Sequence, residues 1–181
     1  MKEHEFLEHF EKILKEEEFD CSLIMATEEV PYERLLIFLG VDEKERERIL
    51  EVTALKQAFI NGLDPSESHE PDFFRIQFQT ILPFSVSHEA TSQVSSLICY
   101  LNRLIELPGL EFDEIHLQVF HRYILLYGEE KFNKKMFLSL VGLIMLLLEL
   151  FSSTLEKVAS GETSFNELLE QIIHMAQRIK Q

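Results

Sequence analysis

The stretch NKKMFLSLVGLIMLLLELFSSTLEKVASG, residues 133–161, decides how the rest of the chain must fold. From Met136 to Leu148, 13 consecutive residues carry no charge, and only Ser139 and Gly142 interrupt the large apolar side chains. The side-chain oxygen of Asn133 can accept an orphan backbone N–H of a first helical turn. Phe132 and Phe137 stand at the spacing of a hydrophobic staple, and Gly161 offers the permissive backbone wanted just past a helix end. A helix that is apolar all round is expected to be buried all round. Leu146→Asp is therefore expected to abolish soluble expression by burying an unpaired charge. The uncharged run falls short of the roughly 20 apolar residues that a membrane span needs. A central helix is expected, covered by a sheet on one side and by another layer, such as a second copy of the chain, on the other.

At 181 residues the chain is expected to be one domain, 1–181, long enough to bury a sizeable core. A hydrophobic content of 46% with 27% charged residues is ordinary for a soluble protein, but a net charge of −15 is not. It argues against nucleic acid and against an anionic membrane as partners, because phosphate contacts need clustered Lys and Arg. Residues 1–70 hold 19 Asp and Glu against 8 Lys and Arg, and residues 71–181 hold 13 against 9, so the acidity is concentrated early. A solvated face is its simplest reading. Cys21 and Cys99 lie far apart without C-x-x-C spacing, as in a chain kept in a reducing, cytoplasmic compartment. Charges run through the first helix, so the N-terminus does not read as a signal peptide.

Taken in order, residues 4–18 place Phe6, Leu7, Phe10, Ile13 and Leu14 at helical spacing. Residues 19–25 are ambiguous. Leu35–Leu39 before Gly40 reads as a buried strand stopped by a turn, and Val41–Arg48 as a charged connection. Residues 49–59 fit either a helix, through Leu50, Ala54, Leu55, Ala58 and Phe59, or the return arm of a hairpin, through Ile49, Val52 and Thr53. Residues 61–72, with Gly62, Pro65 and Pro71, read as a surface loop. Phe74, Ile76, Phe78 and Thr80 alternate with Arg75, Gln77 and Gln79, a strand with one wet face that Pro83 is expected to close. Ser87 is expected to cap a helix to about Leu107, with Val94, Leu97, Ile98, Leu101, Leu104 and Ile105 as its stripe. After Pro108-Gly109 and a turn at Asp113-Glu114 comes a strand from Ile115 to Tyr127, in which Ile115, Leu117 and Val119 oppose His116 and Gln118. Ser164 and Glu167 form a capping box for a last amphipathic helix with Leu168, Leu169, Ile172, Ile173, Met175 and Ala176. This order predicts an α+β fold with a largely antiparallel sheet.

Site chemistry is sparse. His4 and His9 are five residues apart, about 140° around a helix, where a zinc-protease helix needs histidines four apart on one face. His88-Glu89 lacks a second histidine. His116 and His121 are separated by an odd number of residues, so a regular strand sends them to opposite faces. Only a bulge would unite them, with Asp113 and Glu114, around a metal. With no Gly-rich phosphate loop, no nucleophile elbow and no cysteine beside a histidine, no catalytic residue, cofactor or metal site is expected. Two surfaces remain as candidates for a protein partner: the wet strand face of Arg75, Gln77 and Gln79, and the helix flank of Val94, Leu97 and Leu101.

One architecture matches this pattern. Phe74-Arg-Ile-Gln-Phe-Gln-Thr-Ile-Leu-Pro83, Leu101-Asn102-Arg103, Pro108-Gly-Leu-Glu-Phe112, Phe120-His-Arg122 and Leu155-Glu-Lys-Val-Ala-Ser-Gly161 resemble, over residues 35–161, the type III secretion chaperone-like fold. Within it, the pattern is similar to YbjN-like proteins, described as bacterial sensory-transduction regulators, and to Tir-chaperone-like proteins. The resemblance implies an α-β-β-β-α-β-β-α order, which makes residues 49–59 a strand, with 1–34 as lead-in and 162–181 as an added helix. It also implies a small acidic cytoplasmic homodimer without enzymatic activity. Chaperones of this fold hold an unstructured client segment in hydrophobic grooves and along exposed strand edges. The added helix would favour the regulator-like branch, an adaptor without a secreted client.

Overall fold

The computed structural model of the chain describes residues 2–57, 73–128 and 132–179, with the backbone alone for Gln57 and for 175–179. Alternation builds its centre: Phe74, Ile76, Phe78 and Thr80 are buried, while Arg75, Gln77 and Gln79 between them are half-buried. In chain order the elements are α1 (Glu3–Glu16), β1 (Cys21–Ile24), β2 (Arg34–Val41), β3 (Glu47–Gln57) and β4 (Phe73–Ser85). A 3-10 turn (His88–Ala90) leads into α2 (Thr91–Asn102), followed by β5 (Leu110–Asp113), β6 (Gln118–Tyr127), α3 (Lys134–Ala159) and α4 (Phe165–Ile179). The fold is α+β, with six strands in one antiparallel sheet of order β1-β2-β3-β4-β6-β5. Apart from β1 and α4, the order is the expected α-β-β-β-α-β-β-α.

Register gathers the apolar residues on one side of the sheet. Leu35 faces Val52, Val52 faces Phe78, and Phe78 faces Tyr123. Helices α1 and α3 cover that side through aromatic rings: Phe6 stacks on Phe74 at 5.2 Å, and Phe10 and Phe137 each meet Phe78 at 6.4 Å. Each fully buried Phe contributes about 2–3 kcal/mol by burial, and a well-placed ring pair about 1 kcal/mol more. The ends of α3 follow the sequence reading. Asn133 Oδ1 accepts the Met136 N–H at 3.1 Å, the Phe132 and Phe137 rings stack at 4.4 Å, and Gly161 takes a φ of +76°.

The flank of α3 does not follow it. Phe137, Val141, Ile144, Leu148 and Leu155 enter the core, but Leu146 and Leu150 are 53% and 58% exposed and Gly142 is exposed too. A run of uniform hydropathy cannot show that one layer of sheet meets only one stripe of the helix. The helix is also longer than its uncharged run. At 26 residues, with a mean hydropathy of 2.1 in its most apolar 18-residue window, it passes the length and composition test for a membrane span. Its inner stripe, however, is committed to the sheet, and removing it would strip the core of Phe78.

Other boundaries moved for local reasons. Residues 21–24 pair with β2, too short a strand to show a period. Gly40, with a φ of +90°, sits within β2 at a register shift instead of ending it, and the charged connection is a tight turn because Glu47 and Arg48 already belong to β3. Residues 49–57 are strand; Ala58, Phe59 and the expected loop at 61–72 lie outside the described residues. Pro83 does not close β4. The strand passes through it to Ser85 where the ladder to β6 shifts register, a place where a missing N–H is tolerated. Ser87 precedes the 3-10 turn without a side-chain cap bond, and α2 ends at Asn102, five residues short of Leu107, leaving Leu104 60% exposed. Ile115 and Leu117 belong to the β5–β6 turn: Asp113 Oδ1 accepts the Ile115 and His116 N–H groups, and Ile115 is 87% exposed. The capping box of α4 is formed, Ser164 N–H to Glu167 Oε2 at 2.7 Å and Glu167 N–H to Ser164 Oγ at 3.2 Å. Within its stripe Leu168 and Leu169 are half-buried and Ile172 and Ile173 exposed, while the side chains of Met175 and Ala176 lie outside the described ones.

Candidate partner-binding surfaces

With the described helices on one side, no described element covers the other face of the sheet. Arg75, Gln77 and Gln79 run down its middle as a ladder: Arg75 donates to Gln77 Oε1 at 3.0 Å, and Gln77 Nε2 to Gln79 Oε1 at 2.8 Å. Apolar rows flank the ladder. Leu55 on β3 and Leu126 on β6 stand opposite Arg75, Ile124 stands opposite Gln77, and Ile81 continues the line, all exposed. Leu36 and Ile49 border a shallow hollow beside Gln79 and Ile81. Charges on this face are mostly paired, Arg34 with Glu51 at 3.3 Å and Arg122 with both oxygens of Glu111 at 2.9 Å. Arg75 has no carboxylate partner among the described residues. The sequence candidates Arg75, Gln77 and Gln79 are thus brought together. Val94, Leu97 and Leu101 are 0%, 3% and 4% exposed and form part of this chain's own core.

A second apolar surface lies on the helical side. Leu143, Leu146, Leu147, Leu150 and Phe151 of α3 face Leu104, Ile105 and Leu107 of the α2–β5 connection across a groove. Sequence reading missed it because it took α3 as buried and carried α2 through Leu107.

Strand edges are not free in the way the resemblance implied. On β1 the outward Leu23 N–H donates to Glu11 Oε1 of α1 at 3.1 Å. On β5 the side-chain amide of Asn102 grips the chain from outside: its Oδ1 accepts the Gly109 and Leu110 N–H groups at 3.1 Å, and its Nδ2 donates to Leu110 O at 2.9 Å. Gly109 fits only because it lacks a side chain, for a Cβ there would lie 2.4 Å from Arg122 O. Next to it, His121 Nε2–H donates to Leu107 O at 3.1 Å. Some of the residues that carry the resemblance, Asn102, Gly109, Leu110 and His121, therefore build a joint between α2, β5 and β6.

The titratable groups have structural partners. His121 is fully buried and its Nδ1 has no partner among the described residues; burial pushes its pKa down despite the bond to Leu107. His116 sits in the exposed turn with Nδ1 2.6 Å from Asp113 Oδ2, apart from His121, so the metal grouping of His116, His121 and Asp113 does not assemble. Among the described residues no group of three metal-ligating side chains is placed to share an ion. At the β2–β3 turn, Arg46 bridges Asp42 at 2.7 Å and Glu156 of α3 at 2.6 and 2.9 Å. Burial would raise the Asp42 pKa, but the Arg46 side chain and the Arg46 and Lys44 N–H groups hold it down to about 2. The turn is thereby tied to the end of α3. Compared with known proteins, the chain matches no family model and no curated protein.

Proposed function

We propose that the chain is a non-catalytic protein-binding module, of secretion-chaperone-like type, that works as a cytoplasmic homodimer and holds a protein partner on the open face of its sheet. One observation carries the reading: the face keeps Leu55, Ile81, Ile124 and Leu126 exposed around a guanidinium, Arg75, that has no carboxylate partner among the described residues. Exposed apolar side chains gathered on one surface mark protein interaction sites. The favoured partner segment carries apolar side chains and a carboxylate that reaches Arg75. With the outward N–H of Leu23 held by Glu11 and both outward groups of Leu110 held by Asn102, docking uses the face in preference to strand addition at an edge. The regulator-like alternative, an adaptor with no secreted client, uses the same face for a resident partner.

Affinity capture from the lysate of the source cells tests this, comparing wild type with Ile124→Glu/Leu126→Glu and with Arg75→Glu. The expected result is one abundant co-eluting protein that both variants lose while keeping the wild-type circular dichroism. The same protein retained by both variants, or only the bait in every eluate, overturns the assignment of this face.

A further inference from the structure

Gly142 has no explanation within its own chain. Glycine is a poor helix former beside alanine, yet this one sits in the interior of α3. Its backbone is helical, and a Cβ built on it would meet nothing within 4 Å, so neither conformation nor packing calls for it. It lies on the exposed side of the helix with Ser139, Leu146 and Leu150. A missing side chain on an exposed apolar stripe is a place for another backbone to come close.

We propose that a second copy of this chain packs here, α3 against α3 and antiparallel, on a two-fold axis through Leu146. The stripe is self-complementary about that residue. Gly142 and Leu150 each lie four residues, about 6 Å, from Leu146, so each copy's Leu150 enters the space above the other's Gly142. Ser139 and Ser153 each lie seven residues from Leu146 and face one another across the axis. Leu104, Ile105 and Leu107, the far wall of the groove, cover the incoming leucines.

Charge favours the same arrangement. Two chains of net charge −15 approach most easily across a surface of low charge, and α3 carries none from Met136 to Leu148, with Glu106 and Glu149 at the margins of the stripe. Lys135, exposed near the N-terminus of α3, has no carboxylate partner among the described residues. Antiparallel packing carries it toward the C-terminal end of the other helix, where the exposed Glu43 and Glu162 lie beside Lys157 while Glu149 and Glu156 are paired with Arg48, Arg46 and Lys44 of their own chain. Helix macrodipoles then also oppose one another favourably. The inference rests on the dimeric part of the proposed function and is independent of the sheet face.

Light scattering on the eluting peak, with chemical cross-linking, tests it. Wild type is expected at the mass of two chains, and Leu146→Asp at one, still soluble and folded by circular dichroism. Gly142→Leu fills the receiving space, so it should weaken the dimer at least tenfold while raising the thermal midpoint of the dissociated chain. In a Cys21→Ala/Cys99→Ser background, Leu146→Cys alone should form a disulfide-linked pair, because a residue on the axis meets its own copy. A single-chain mass for wild type overturns the proposal. So does a dimer indifferent to both Leu146→Asp and Gly142→Leu, or wild type that co-sediments as monomer with phosphatidylcholine vesicles. Loss of the sheet-face partner in a chain that remains dimeric would leave this interface standing.

Discussion

Gly109 shows how much a single position can decide. With 2.4 Å between its missing Cβ and Arg122 O, and 3.0 Å to His121 Nε2, Gly109→Ala must displace backbone. We expect it to destabilise the fold by about 2–3 kcal/mol, as overpacking does, seen as a lower urea midpoint at unchanged slope. His121 sets a pH response. Its folded pKa lies below the ordinary 6.5, so the unfolded chain binds the proton first as pH falls. Stability should be full above about 6.5 and decline as pH drops toward the lower folded value. His4 works in the opposite direction, since its hydrogen bond to Glu33 raises its pKa, but it is on the surface and the buried ring governs the sign. Thermal midpoints measured from pH 7.5 to 5 should fall in wild type and stay nearly level in His121→Gln; a level wild-type curve refutes the assignment. At this scale the sequence was legible where partners are neighbours. Asn133, Phe132 and Phe137 act within a few residues of one another, whereas Asn102 reaching Leu110 and His121 reaching Leu107 depend on how β6 returns beside β5.

Among the elements, α3 does the most and was read the least completely. Its caps and inner stripe follow from local rules, but its outer stripe has the same residue types and a different environment. Periodicity places a helix; it does not count the layers that will cover it. The β5–β6 turn shows the reverse problem, because Ile115, Leu117 and Val119 alternate as a strand would, yet Asp113 folds the first two into a turn. Pairing of α3 with the β2–β3 turn can be tested through Glu156, which accepts both guanidinium nitrogens of Arg46. Glu156→Gln is expected to cost about 1 kcal/mol, the range of a partly exposed bidentate pair, and a double-mutant cycle with Arg46→Lys should show coupling of similar size. Zero coupling would mean that the turn holds its place without α3.

For the whole molecule, net charge and apolar surface act against each other. Nearly half the residues are hydrophobic, yet the net charge of −15 keeps separate copies apart. Added salt screens that repulsion, so the proposed dimer should tighten between 50 and 300 mM NaCl, a trend readable by sedimentation equilibrium. Weakening with salt would mean that opposite charges dominate the contact. The α+β class and the core strands were legible at this scale because alternation in β4 and the helical spacing of α1 report directly on a one-sided sheet. The open face was legible as Arg75, Gln77 and Gln79, while its apolar frame, drawn from β3, β4 and β6, needed the register. One last consequence comes from Glu11 and Asn102. A bare strand edge is a template on which copies can be added without end, and such growth seeds fibres. By holding the outward N–H of Leu23 and both outward groups of Leu110, these two side chains are expected to blunt the strand edges and to favour contacts between faces, which close after a fixed number of copies. A crowded solution of this protein should saturate without nucleating fibrils, and Glu11→Ala with Asn102→Ala are the substitutions that would remove that protection.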